Sequence, residues 1–196
     1  MGDERPQLPD RSPPALVRAV GASWDPPAEG GWAQFVFRPT FHPALVVTIE
    51  GVGEEALLHA ASEPSASWGW YHRSKLPDDE LPGPPDELLA TPGPLSSVFA
   101  LDPAEARAIW SAAEDLQGPT EVGAPGRDGM SVILRLRPGG AIAEFESWSP
   151  EPDATERRLL ESVLRPVAAS GDSPLPTLAQ VVRRYLPETQ RREDLG

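Results

Sequence analysis

Glu144 and Glu146 stand two residues apart in a stretch that alternates like a strand, which puts both carboxylates on one face of a sheet. With Trp148 two positions further on to exclude water, such a pair is what general acid–base hydrolysis requires. Asp128, in Arg127-Asp128-Gly129, extends the carboxylate group, although Asp before Gly is most simply a turn. Arg38 and His42, four residues apart, are suited to holding an anion or a carboxylate; a turn histidine that caps a backbone carbonyl is the simpler reading. Ser147 and Ser149 flank Trp148, but no Gly-x-Ser-x-Gly occurs and no base is placed beside either hydroxyl. His42, His59 and His72 are 17 and 13 residues apart, which matches no zinc-ligand motif. No metal site and no cofactor are expected.

A different chemistry is carried by Trp68-Gly69-Trp70-Tyr71-His72-Arg73, the densest aromatic cluster in the chain. Arg73 and Lys75 make it the one strongly cationic spot in the central region. Aromatic and arginine side chains are enriched where proteins bind proteins. The competing reading folds the tryptophans back over a sheet as a lid.

The elements that must position these residues are legible in part. Residues 126–150 read as a turn, a strand, a Pro-Gly-Gly turn and a second strand. With Gly139-Gly140 as the loop, Leu134 faces Phe145, Leu136 faces Ala143 and Val132 faces Ser147 on an apolar face. Arg135 then faces Glu144, and Ile133 faces Glu146, on a wetter face, where an ion-pair ladder competes with the catalytic use of the carboxylates. Residues 32–39, 43–50, 55–61 and 95–101 have strand character from β-branched and alternating apolar residues. Asp102-Pro103-Ala104-Glu105 is a helix start with a cap, a proline in the first turn and an acid three residues on. Asp153-Ala154-Thr155-Glu156 repeats that logic, with Pro166 expected to end or bend the helix that follows. A third helix is expected over 178–186. Residues 15–20 fit a short strand or one helical turn equally.

The chain has 196 residues, enough for one domain, but its 25 prolines and 17 glycines concentrate in loops and ends. The expected organisation is a disordered segment over 1–14, a single domain over 15–186 with a proline-rich loop at 64–94, and a charged tail over 187–196. Thirty acidic against 17 basic residues give a net charge of −13. That charge repels nucleic acid and anionic membranes and favours encounter with a basic protein, while also serving solubility. Arg183-Arg184 and Arg191-Arg192 read as helix-end and tail charge. Cysteine is absent, which excludes disulfides and thiolate chemistry. With no signal-like start and no apolar run of membrane length, the expected location is the cytoplasm.

The stretch Phe37-Arg38-Pro39-Thr40-Phe41-His42-Pro43 before a strand resembles a family of uncharacterised bacterial proteins with an arginine and a Phe-His-x-Pro-like turn. The resemblance continues through the helix at 102–116, Asp128-Gly129 before a strand, and Trp148-Ser149-Pro150 before a helix. It spans roughly residues 31–167, implies the fold and carries over no catalytic residue. The expected fold is α+β: an antiparallel sheet of about five or six strands, including the hairpin, with two or three helices on one face. The expected function is a small acidic, non-catalytic protein-binding module of the immunity or adaptor type. It would engage a protein partner through Trp68, Trp70, Tyr71, His72 and Arg73 and an acidic face. The alternative is a small hydrolase or ligand-binding enzyme with a cleft lined by Arg38, His42, Glu144 and Glu146.

Overall fold

The computed structural model describes residues 10–40, 42–63, 95–116, 129–137, 141–151, 154–171 and 174–186. The proline-rich 64–94 segment with its aromatic cluster, Asp128 and the 187–196 tail lie outside these.

Six strands form one antiparallel sheet: β1 (Trp32–Pro39), β2 (Leu45–Glu50), β3 (Leu57–Ser62), β4 (Ser96–Ala100), β5 (Met130–Arg137) and β6 (Ala143–Trp148). Their spatial order is β4-β3-β2-β1-β5-β6. β1 is buried on both faces along almost its whole length, as a strand covered on both sides requires. Phe35 and Phe37 alternate with Val36, and all three are fully buried.

One face carries the main core. Phe35 and Phe37, Val47 and Ile49, Leu58, and Leu134 and Leu136 pack there under three helices, α2 (Pro103–Glu114), α3 (Thr155–Ala169) and α4 (Leu175–Arg184). α2 begins as its sequence requires: the Asp102 carboxylate accepts the Ala104 N–H at 2.8 Å, and Pro103 occupies the first turn. The Asp153 expected to cap α3 lies outside the described residues, and the helix has Ala154 at its N-cap. Glu156 is buried and accepts a hydrogen bond from Ser147 Oγ on β6 at 3.1 Å. The helix also runs through Pro166 to Ala169, because burial of Leu164 and Val167 on either side holds it against the core.

The hairpin register is as expected in all five opposed pairs, including Arg135 with Glu144 and Ile133 with Glu146. Its second face is drier than expected. A short fourth helix, α1 (Pro13–Ala19), lies there and buries Leu16 and Val17 against Val36, Val46 and Ile133. This resolves residues 15–19 as helix, with Val20 as its C-cap. The bond from Ser12 N–H to the Asp10 carboxylate, 2.9 Å long, stands at its start and holds that carboxyl below the usual range, assisted by Arg18.

Glu63 fastens α1 to the sheet. It is buried, and its carboxylate accepts from Arg11 Nη2 at 2.9 Å and from the Ala44 N–H at 3.2 Å. Glu63→Leu leaves both donors without that acceptor in a nearly dry site, so a loss of about 2–3 kcal/mol is expected in urea unfolding. Glu63→Gln, which keeps an acceptor, should lose less than half of that.

Candidate functional site

Residues 20–31 follow α1 and cross the second face as a strap. Two arginines from alternate positions of β5 hold it. Arg135 donates through Nη1 to the Trp24 carbonyl, and its guanidinium lies 3.8 Å from the centre of the Trp24 ring and 5.4 Å from that of Trp32. Arg137 donates to the carbonyls of Ala28, Glu29 and Gly30 at 3.2–3.3 Å. The strap has no regular structure, and side chains of β5 satisfy its carbonyls at Trp24, Ala28, Glu29 and Gly30.

Beside Arg135 the same face carries a polar row across three strands. Gln34 opposes Thr48, and Thr48 opposes His59. Gln34 is fully buried and donates through Nε2 to the Ser23 carbonyl at 2.9 Å and to Thr48 Oγ1 at 3.3 Å. The bond to a carbonyl fixes the amide orientation.

Beyond His59 two large apolar side chains of this face are exposed. Val98 of β4, opposite His59, is 57% exposed, and Leu57 of β3, diagonal to it, is 41% exposed. These two side chains leave a small apolar area open beside the sheet edge. β4 is the last strand on this side among the described residues, and its sequence, Ser-Ser-Val-Phe-Ala, carries no charge. Its bonds to β3 include Ser62 N–H to the Leu95 carbonyl and Leu101 N–H to the Ala56 carbonyl. In an antiparallel ladder this turns the backbone groups of Ser97 and Phe99 inward and those of Ser96, Val98 and Ala100 outward. None of the hydrogen bonds among the described residues engages that outward row.

The opposite edge is built differently. By the same reasoning, the Ser149 N–H bond to the Met130 carbonyl turns the backbone of Glu144, Glu146 and Trp148 outward on β6. Both glutamates are exposed, so the outward row of β6 is flanked by carboxylates. Charged side chains at such positions deter strand-to-strand association.

Comparison with protein-family models, characterised proteins and solved structures gives no match for this chain. Function is therefore read from the placement of the side chains.

The carboxylates and the arginine–histidine pair do not form one cleft. Glu144 is engaged by Arg135 Nε at 3.1 Å, and Glu146 accepts from Ser131 Oγ at 3.0 Å. Arg38 shares their face, in line with Ser131 and Trp148 across β5 and β6. His42 turns to the helical layer, where its Nδ1 lies 2.6 Å from the Tyr185 hydroxyl at the end of α4. Ser149, in a left-handed conformation (φ 41°), accepts the Met130 N–H through Oγ at 2.9 Å. Among the described residues no three metal-ligating side chains converge.

The short motifs around 129 and 148 meet in space. A side chain on Gly129 would put its Cβ 2.5 Å from the Trp148 indole nitrogen, so glycine is required there for the indole to pack. Thr40 completes this junction, donating through both its N–H and its hydroxyl to the Gly129 carbonyl. These residues position strands, which explains their spacing without a reaction.

Two surface hollows are lined by described residues. One, of about 420 Å³, lies between Val52-Gly53 and the α2 residues Arg107, Trp110, Ser111 and Glu114. The other, of about 370 Å³, lies on the helical side of β4. Neither is lined by Arg38, His42, Glu144 or Glu146. Leu57 and Val98 were not singled out by the sequence, because their exposure depends on where the strap stops. The available signal was the run of uncharged residues at 95–101 in a chain so acidic elsewhere.

Proposed function

We propose that this chain is a small acidic protein-binding module, of the immunity or adaptor type, with no reaction of its own. The observation that carries the reading is the open apolar corner formed by Leu57 and Val98 on an uncharged edge strand. The net charge of −13 favours a basic partner in encounter rate and discourages nucleic acid. Trp68, Trp70, Tyr71, His72 and Arg73 remain in this reading as hot-spot side chains on sequence grounds. Among the described residues no helix is long and apolar enough to cross a membrane. The hydrolase reading needs Arg38, His42, Glu144 and Glu146 to converge, and the direction taken by His42 speaks against it.

The test is affinity capture from a native lysate of the source cells, comparing wild type with a Leu57→Asp/Val98→Asp double variant. A basic protein retained by wild type and reduced about tenfold on the variant is the expected result. Both positions are exposed, so the variant should keep its unfolding free energy within about 1 kcal/mol. Equal recovery by the two proteins would move the docking surface elsewhere. No specific recovery by wild type would count against a binding role.

A further inference from the structure

We propose that β4 takes up an extended strand of the partner in which apolar and basic residues alternate; this rests on the binding role above and names the chemistry it selects. The outward N–H and C=O groups of Ser96, Val98 and Ala100 offer a ladder for one more strand. A strand added there projects alternate side chains to the two faces of the sheet. On the face opposite the helices they lie beside Val98, with Leu57 one strand further in, both exposed and apolar, so that position favours an aliphatic residue.

On the helical side the intervening residues meet the 370 Å³ hollow, lined by Ser97 and Phe99, by Glu105 of α2, and by the α3 end at Pro166, Ser170 and Gly171. Two features make this hollow electronegative. No ion pair or hydrogen bond among the described residues engages the Glu105 carboxylate. The C-terminus of α3 carries the negative end of the helix dipole, and its last turn contains no basic residue to neutralise it. A lysine or arginine on the added strand meets both. A second copy of this chain fits less well: its own β4 would bring Ser97 and Phe99, with no cation, and would set one net charge of −13 against another.

The probes are two eight-residue peptides, one alternating Val and Lys and one alternating Val and Glu, titrated into ¹⁵N-labelled full-length protein. The Val-Lys peptide should shift the amides of Ser96, Val98 and Ala100 and bind at least about tenfold more tightly than the Val-Glu peptide. Glu105→Gln should weaken it about threefold, and added salt should do the same. Val98→Pro removes an outward N–H while leaving the bonds to β3 in place, so it should abolish binding without unfolding the sheet. Should that variant not fold, Glu105→Gln still decides the matter.

Several results would overturn the proposal. Shifts confined to Glu144, Glu146 and Trp148 would assign strand addition to β6. Equal binding of the two peptides would remove the charge selection. Concentration-dependent dimerisation abolished by Val98→Asp would make the occupant a second copy. If neither peptide binds but capture of a protein still depends on Leu57 and Val98, the binding role stands and strand addition does not.

Discussion

Arg135→Ala is expected to lower the unfolding free energy by about 3 kcal/mol, while Glu144→Ala at the other end of the same ion pair should cost less than about 1 kcal/mol. The difference follows from where each partner sits. Glu144 is more than half exposed, so its attraction to Arg135 is screened by water. The Arg135 side chain is only 8% exposed and is stacked on Trp24, with Trp32 further off and the Trp24 carbonyl accepting from it. A desolvated cation–π contact contributes about 2 kcal/mol, and the aliphatic stem packs as well. Removing the guanidinium also leaves the Trp24 carbonyl without its donor. Urea denaturation followed by tryptophan emission measures both variants. Equal losses would mean that the ion pair, not the stack on the strap, is what Arg135 contributes.

Phe35→Ala should cost about 4 kcal/mol, the largest single loss expected from a core position. Phe35 is fully buried in the middle of the central strand, opposite Val47 on one side and Leu134 on the other. Its ring lies 6.4 Å from that of Phe37, nearly parallel to it. Neighbours from two hydrogen-bonded strands cannot close in on the space left behind, so both the transfer and the cavity contributions are expected in full. With a urea slope of about 2 kcal/mol per molar for a domain of this size, the midpoint should fall by about 2 M. A fall below about 0.5 M would mean that the helical layer rearranges to fill the site.

What could be read from the sequence was local. The β5–β6 register followed from alternation and the Gly139-Gly140 turn, and the start of α2 followed from Asp102 and Pro103. What could not be read depends on distant partners. Residues 13–19 are too short to declare a helix by themselves, and Leu16 and Val17 are fixed by Val36, Val46 and Ile133. The strap has no periodicity, so nothing marked Arg135 and Arg137 as its anchors rather than as solvated charges. For the candidate site, Glu144 and Glu146 were placed on the correct face. The separation of His42 from them is set by Tyr185, 143 residues away.

The two borders of the sheet are unequal: Ser96, Val98 and Ala100 at one, Glu144, Glu146 and Trp148 at the other. A sheet with two receptive borders can propagate, each addition creating a new end for the next. With strand addition at β4 as proposed and carboxylates flanking β6, growth would have a direction and a stop: such a chain would combine with its partner once rather than extend into a fibre.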